Sequence, residues 1–566
     1  MILSSLFLHL NIFKSYKSFF RRKIVQYREL FKIVGNYLFY FALVLCLPFL
    51  VALYFDFGVQ SVYPNSYLQF LETIGICLLL AGSFRFLGRK AKGNLYRRES
   101  ILLVVAIWFL TSIISALPFY LTRTLENPVD AYFESISGLT TTGASIMFPK
   151  SFNEKQEEIP IHLTNVHVPD KSYDFYGTIN PIRNEEGQII LEGLEAVARP
   201  LLFWRSFMQW LGGLGIVLIF LTVLPALGVG GKFLYQMEMT GPLKESIAPR
   251  IKETASLLWK LYLGLTFIEL ILLELVNPKL PFYDAICLTL SNVSTGGFSI
   301  NSNSIGHYNH SGIEWVVLLF MILGSINFGL YFHIIRLKFY RIYSPEFSLF
   351  AASLFLGGLL VSAFLFGSPL YYYADTSTTS FMETIRVGAF QAVSAQTSTG
   401  FSTANYDLWP FPSQMIMFIL MYLGGMAGAT CGGIKTTRFY ILYKMILHKI
   451  EAIYRPDKVK LLKIGKVEID DSTTITSMAF FAVAIFSSVF AGMVYILDGV
   501  DPETAIAAAS SMLNNTGISF RAAGPTETFA FLSNFSKIIS SFWMVLGRLE
   551  YFAIILLFLP VFWRSR

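Results

Sequence analysis

Charge is scarce in this chain. Only 14% of its 566 residues are charged and 54% are hydrophobic, where soluble domains carry about 25% charged residues. A soluble globular protein is excluded. Cysteine is also rare: Cys46, Cys77, Cys287 and Cys431 all fall in apolar or intramembrane stretches, which implies no disulfide framework and no CxxC or Cys/His metal spacing. No DDxxD, HExxH, GxSxG or Walker loop occurs, and a polytopic enzyme acting on lipid or isoprenoid substrates needs such clustered groups. The chain reads as a non-enzyme without a cofactor, and the membrane enzyme stands as the alternative from another class. The start, "MILSSLFLHLNIFKSYKSFFRRK", places its apolar part before its basic cluster, the reverse of a secretory signal peptide. It fits an amphipathic helix on the inner leaflet or a disordered basic tail.

What is present in quantity is apolar sequence. Runs long enough to cross ~30 Å of hydrocarbon lie near 36–55, 68–84, 101–121, 203–224, 255–276, 314–335, 347–367, 414–434, 474–497 and 538–562. They predict an all-α polytopic membrane protein of ten spans. With both termini in the cytoplasm, the inside segments hold 31 of the 44 Lys and Arg and the outside segments nine, as the positive-inside rule requires. The net charge of +7 therefore reports topology and not nucleic-acid binding.

Four further segments, "FESISGLTTTGASI" (133–146), "LTLSNVSTGGFSI" (288–300), "FQAVSAQTSTGFST" (390–403) and "AASSMLNNTGISF" (508–520), compete with these runs as spans, the second within a moderately apolar stretch. Counting any of them as a span would invert the loops that follow, so each should enter and leave from the same side. A helix-compatible piece, a Ser/Thr/Asn-rich approach and a Thr-Gly pair recur four times, an internal repeat. The chain divides into a basic N-terminal segment (1–34), a two-helix hairpin (35–98) and four span, loop, span units at 99–227, 228–345, 346–472 and 473–566. The first unit carries a polar external insertion, 151–199, whose His162 and His167 read as solvated loop residues.

Non-helical backbone at membrane depth is tolerated only where protein buries it or water adjoins it. Four such turns around one axis, with pseudo-fourfold symmetry, would present a ring of carbonyls able to replace the water shell of a cation. Aligned on Thr-Gly, the candidate filter is Thr141, Thr142, Gly143; Ser294, Thr295, Gly296; Ser398, Thr399, Gly400; and Asn515, Thr516, Gly517. No Asp or Glu adjoins these pairs, so dipoles and not fixed charge would hold the ion, favouring a weakly hydrated monovalent cation. Asp130, Glu134, Asp284, Glu383 and Glu503 sit near the starts of the preceding helices, as helix-start groups or as a cation-attracting mouth.

Two features lie deeper. "GGMAGATCGGIKTTR" (424–438) puts Gly424, Gly425, Gly428, Gly432 and Gly433, with Thr430, where a helix should continue; at ~1 kcal/mol per glycine a break is expected. "VLGRLEYF" (545–552) carries Arg548 inside the last span, and an intramembrane Arg needs a partner. Counted from the span ends, Gly424 and Arg548 lie at similar depth, about 15 Å at 1.5 Å per residue. The glycine-rich break and Arg548 form a candidate gate. Asn327 is either a cavity-lining group or a helix-helix hydrogen bond.

These motifs, together with "RSFMQWLGGLGI" (205–216) and "GPLKESIAPRIKETASLLWKLYLGLT" (241–266), resemble the superfamily of Trk, Ktr and HKT potassium transporters, and most closely its TrkH-type pore-forming subunits, over roughly 100–562. The resemblance implies potassium uptake across a bacterial cytoplasmic (inner) membrane through one pore of four similar units. It further implies a homodimer, contacts with membrane lipids, and a cytosolic ring of nucleotide-binding regulatory subunits, for which 449–472 and the basic loops read either as the docking surface or as solvated linkers. Glycine at all four filter positions goes with potassium in that family, and serine in the first unit with sodium. Its gating loop maps onto 424–433 and its gate-associated basic residue onto Arg548. The long insertion, the extended N-terminus and Cys431 in the gating loop depart from the family pattern. Flux driven by the membrane potential is expected, with ion-coupled symport as the alternative.

Overall fold

A computed structural model describes residues 27–58, 62–91, 97–165, 168–215, 251–337, 340, 343–371, 380–455, 463–464 and 467–563. The N-terminal amphipathic segment, the second half of the 203–224 run, His167 and part of 449–472 lie outside them. Six helices among the described residues are long and apolar enough to cross a bilayer: α1 (Tyr27–Gly58), α2 (Tyr67–Leu87), α3 (Arg97–Leu121), α6 (Ile251–Val276), α10 (Pro345–Leu365) and α14 (Asp471–Leu497). A seventh arises if α8 (Ser311–Gly324) and α9 (Phe328–Ile335), bent by 98°, count as one span. The other three expected spans differ from continuous helices. α5 (Arg199–Gly213) is described only as far as its C-terminal turn. α12 (Phe411–Tyr422) stops where the glycine-rich loop begins, and α13 (Thr436–Tyr454) resumes after it. α16 (Asn534–Arg548) gives way to α17 (Phe552–Phe558) and α18 (Pro560–Trp563) through Glu550 and Tyr551, whose φ of 53° and 61° are unfavourable for residues with side chains.

Four short helices, α4 (Pro128–Leu139), α7 (Phe282–Val293), α11 (Phe381–Gln396) and α15 (Pro502–Asn514), have 12 to 16 residues. At 1.5 Å per residue none can cross the hydrocarbon. Local chemistry starts two of them: Asn127 and Asp501 accept from the backbone N–H of Val129 and Thr504, each followed by a proline whose missing N–H costs nothing at that position. Each short helix packs against the long helix before it, α3, α6, α10 or α14, and against the helix after it, α5, α8, α12 or α16. Contacts between units run in a cycle: α5 with α7, α8 with α11, α12 with α15, and α16 with α4. α1 and α2 pair along their length, and α1 also packs on α5.

The 151–199 insertion forms three two-stranded antiparallel ribbons, β1 (Ser151–Phe152) with β2 (Glu158–Ile159), β3 (Ile161–Asn165) with β4 (Val168–Phe175), and β5 (Ile182–Arg183) with β6 (Ile189–Leu191). His162 pairs across the second ribbon with Asp174, both exposed. Between α13 and α14, β7 (Lys463–Ile464) and β8 (Val467–Glu468) form another short ribbon.

The acids near the short helices act mainly through ion pairs. Asp130 pairs with Lys537 at 2.8 Å, joining the first and fourth units, and Glu134 pairs with Arg205 at 2.7 Å. Glu503 pairs with Arg521, which also bridges to Asp407 of the third unit. Glu314 of the second unit meets Arg386 of the third at 3.2 Å. The capping bonds come from Asn127 and Asp501; Asp130 and Glu503 lie in the first turns of α4 and α15, as the helix-start reading has it, and are ion-paired as well, whereas Glu134 lies mid-helix. Removing one partner of a buried pair strands the other charge. Asp130→Ala should therefore cost about 3–5 kcal/mol, read as a lower denaturation temperature in detergent, and Asp130→Ala with Lys537→Met should recover most of the loss.

Candidate functional site

All four short helices end in the same turn. The backbone N–H groups of Thr142, Gly296, Thr399 and Thr516 donate to the carbonyls of Ser137, Ser291, Ser394 and Ser511 at 2.8–3.0 Å, a six-to-one closure of the helix end. The residue before each donor is left-handed: Thr141 (φ 55°), Thr295 (52°), Ser398 (52°) and Asn515 (51°). The residue after each is a left-handed glycine: Gly143 (78°), Gly297 (79°), Gly400 (91°) and Gly517 (71°). Glycine is required there because it alone takes this conformation without strain.

The second unit is therefore displaced by one residue from the Thr-Gly alignment. Gly297, not Gly296, is the counterpart of Gly143, Gly400 and Gly517, and Ser294 matches Thr140, Thr397 and Asn514. Each of those four side chains bonds the carbonyl four residues back at 2.7–2.9 Å. The serine six residues before the left-handed glycine, as in "SGLTTTG", "SNVSTGG", "SAQTSTG" and "SMLNNTG", is the signal that sets the register. Thr-Gly misleads because the second unit carries two glycines in succession.

The turns close on one another. A Cβ on Gly143 would collide with the carbonyl oxygen of Gly296, one on Gly297 with that of Thr399, one on Gly400 with that of Thr516, and one on Gly517 with that of Thr142. Thr142 and Asn515 also join the first and fourth turns through a 2.9 Å hydrogen bond, and Asn515 donates to the Met544 carbonyl as well. Every threonine, serine and asparagine of the expected filter is buried.

Beneath the turns lies the glycine-rich loop. Gly428 and Gly433 are left-handed, at 77° and 71°, and the helix is broken from Leu423 to Lys435. Thr430 donates to the Gly324 carbonyl at 3.0 Å, and the Gly432 N–H donates to the Ser398 hydroxyl at 2.6 Å. Gly432 also abuts the Asn514 carbonyl, and Gly425 abuts the Cys431 sulfur. Gly424 and Gly425 accept from Thr436. Arg548 donates to the Thr430 carbonyl and to the Thr141 hydroxyl, both at 2.9 Å, and to the carbonyls of Gly212 and Gly213 at 2.5 and 3.1 Å. The loop thus touches the second, third and fourth units directly and the first through Arg548.

Three residues of this site were not read from the sequence. Glu346, at the start of α10, accepts from the Ala427 N–H at 2.7 Å and from Thr437, fastening both ends of the loop. Arg438 pairs with Glu550 at the break after α16. Gln209, fully buried, donates to the Gly296 carbonyl at 2.6 Å and accepts from the Phe298 N–H at 3.0 Å. A polar side chain within an apolar run is the available signal, but its partner is unknown until the helices pack. Asn327 caps α9 at the bend, where Phe328 donates to the Gly428 carbonyl.

On the ribbon side, a cavity of about 580 Å³ has all four left-handed glycines in its lining. Its acids are Glu192, Glu195 and Glu527, with Arg205 as the charged base, already paired with Glu134. The acids near the short-helix starts do not line it. Burial pushes the Glu527 carboxyl up to about 7.

Residues 184–368 and 373–564 match the model of a family described as TrkH, cation transport protein. The chain belongs to the TrkH family. Its relatives include the Trk system potassium uptake protein TrkH of Salmonella typhimurium, 30% identical over 545 residues covering 96% of this chain and 100% of the relative. The protein of that name from Halomonas elongata is 30% identical, covering 95% and 99%. Among solved structures, the potassium transporter TrkH from Vibrio parahaemolyticus is similar with a TM-score of 0.75 and 27% identity, over 95% of this chain and all of that one. The TrkH match spans most of the site, including the last three turns, the glycine-rich loop and Arg548.

Because Glu527 is neutral below about pH 7 and charged above it, raising the pH on the ribbon side from 6 to 8 adds a negative charge to the cavity. Cation uptake at low cation concentration should rise over that interval. Glu527→Gln should flatten the rise, measured as tracer flux into proteoliposomes.

Proposed function

We propose that this protein takes up potassium through a gated pore in the cytoplasmic membrane, with the four turns as a selectivity filter for weakly hydrated monovalent cations. The single observation that carries the reading is the closed cycle of left-handed glycines, each against the carbonyl of the next unit. Oxygen dipoles facing a common axis can substitute for water around a cation. The naming of relatives as potassium uptake proteins supports potassium as the substrate.

The reading includes ten spans, the last eight forming four tandem pore units, with both termini and the basic loops in the cytoplasm and the ribbons outside. The loop at 424–433 is the gate. Its support is the set of contacts reaching all four units below the filter, with Arg548 as a tether whose charge also repels cations from the path. Glu346 and the Arg438–Glu550 pair hold the loop in its blocking position. A homodimer and a cytosolic nucleotide-binding regulatory ring complete the proposal, and both rest on resemblance to the family. Driving force comes from the membrane potential, worth about 2.3 kcal/mol per charge per 100 mV.

Two outcomes test the assignment. Gly297→Ser should lower the potassium-to-sodium uptake ratio about tenfold or more, equivalent to at least about 1.4 kcal/mol, in a potassium-uptake-deficient bacterium; an unchanged ratio removes the filter. Arg548→Ala should raise resting potassium flux and leave that ratio intact, and unchanged flux removes the gate.

A further inference from the structure

The second turn is the odd one of the four, since Gly296 stands where the others have Thr142, Thr399 and Thr516. Its backbone offers no reason: the left-handed residues of this turn are Thr295 and Gly297, and Gly296 is not among the positive-φ positions. Space offers one. A Cβ on Gly296 would run into the Gln209 side chain, overlapping its amide carbon, with its oxygen at 2.5 Å and its own Cβ at 2.9 Å.

We propose that Gln209 is a positioning residue for the filter: its amide occupies the place that a threonine side chain takes in the other turns and holds the Gly296 carbonyl in the ring. The proposal rests on the filter reading given above. Gln209 donates to the Gly296 carbonyl and accepts from the Phe298 N–H, so one amide group grips the backbone on both sides of Gly297. In two of the other turns the threonine hydroxyl bonds neighbouring side chains, while the Thr516 hydroxyl has no partner among the described residues. Thr142 bonds the hydroxyl of Thr140 and the amide of Asn515, and Thr399 bonds the hydroxyl of Thr397.

Gln209 belongs to the first unit and Gly296 to the second, so the brace joins two units of the one chain. The same helix, α5, ends one turn later at Gly212 and Gly213, whose carbonyls receive Arg548. α5 therefore braces the second turn and anchors the arginine beneath it. Glycine at 296 and glutamine at 209 form a matched pair, and exchanging either alone creates a clash or leaves buried polar groups without partners.

The test is discrimination together with rescue, in full-length protein expressed in a potassium-uptake-deficient bacterium. Gln209→Met keeps the volume and removes both hydrogen bonds. It should accumulate in the membrane at the wild-type level and carry potassium, with its potassium-to-sodium uptake ratio reduced about tenfold, the factor for one or two such bonds. Gly296→Thr alone should lose uptake, and Gly296→Thr with Gln209→Ala should regain uptake by giving the second turn the threonine of its three counterparts. A wild-type ratio in Gln209→Met, or a double variant no better than Gly296→Thr, overturns the proposal. Gly297→Ser separates the two levels of inference: if it shifts the ratio while Gln209→Met does not, the filter stands and the brace is wrong, and if neither shifts it, the filter reading fails.

Discussion

Backbone polarity in a place without bulk water is the constraint from which this structure follows. A peptide group at membrane depth must find a partner; among the described residues helices supply most of them, and the exceptions include the four turns, the bend at 325–327, the broken segment 423–435 and the break at 549–551. In the turns, the six-to-one bond to a serine carbonyl satisfies the N–H, while the carbonyls of Thr142, Gly296, Thr399 and Thr516 are packed against the glycine of the neighbouring unit. Glycine is needed at 143, 297, 400 and 517 for conformation and for space together, and the residues whose N–H groups close the helices are the ones whose carbonyls face the next glycine.

The remaining polar groups inside the bundle serve that arrangement. The pairs Asp130–Lys537, Glu134–Arg205, Glu314–Arg386 and Arg521–Asp407 tie short helices and their loops to other elements, three of them across unit boundaries. Buried pairs of this kind add little net stability relative to apolar packing, but breaking one is costly. They fix position, which a ring of dipoles requires. The loop below is held by a different set, Arg548, Glu346 and Arg438 with Glu550. The turns and the loop thus have largely separate supports, linked where Arg548 reaches Thr141 and where Gly432 reaches Ser398.

Much of this was legible one-dimensionally because the bilayer reduces the problem. A run of apolar residues long enough to cross it reads as a helix, a Ser/Thr/Gly-rich segment between two such runs must turn back, and lysine and arginine show which loops face the same side. The glycine-rich break at 424–433 was readable from helix propensity, and Arg548 from the cost of burying a charge. The second turn was misplaced by one residue because Thr-Gly is a short pattern and in "STGG" two glycines follow the threonine, of which the second is the left-handed one; the helix-closing serine fixes the register, and its role appears only in the hydrogen bonds. The ion pairs of Asp130, Glu134 and Glu503 with Lys537, Arg205 and Arg521 were not legible because only the packing of the helices brings the partners together.

The sequence by itself determined the membrane class, the fourfold recurrence of the turn, the glycine-rich interruption and the arginine within the last span, since each follows from composition or spacing along one strand of chain. Only the tertiary structure decided that Gly297 is the counterpart of Gly143, Gly400 and Gly517, that Gln209 meets the Gly296 carbonyl, and that Glu346 and Arg438 fasten the loop and the break after α16. Those facts depend on which helices become neighbours. That choice is made by the packing of α5 against α7, α8 against α11, α12 against α15 and α16 against α4, and no local pattern encodes it.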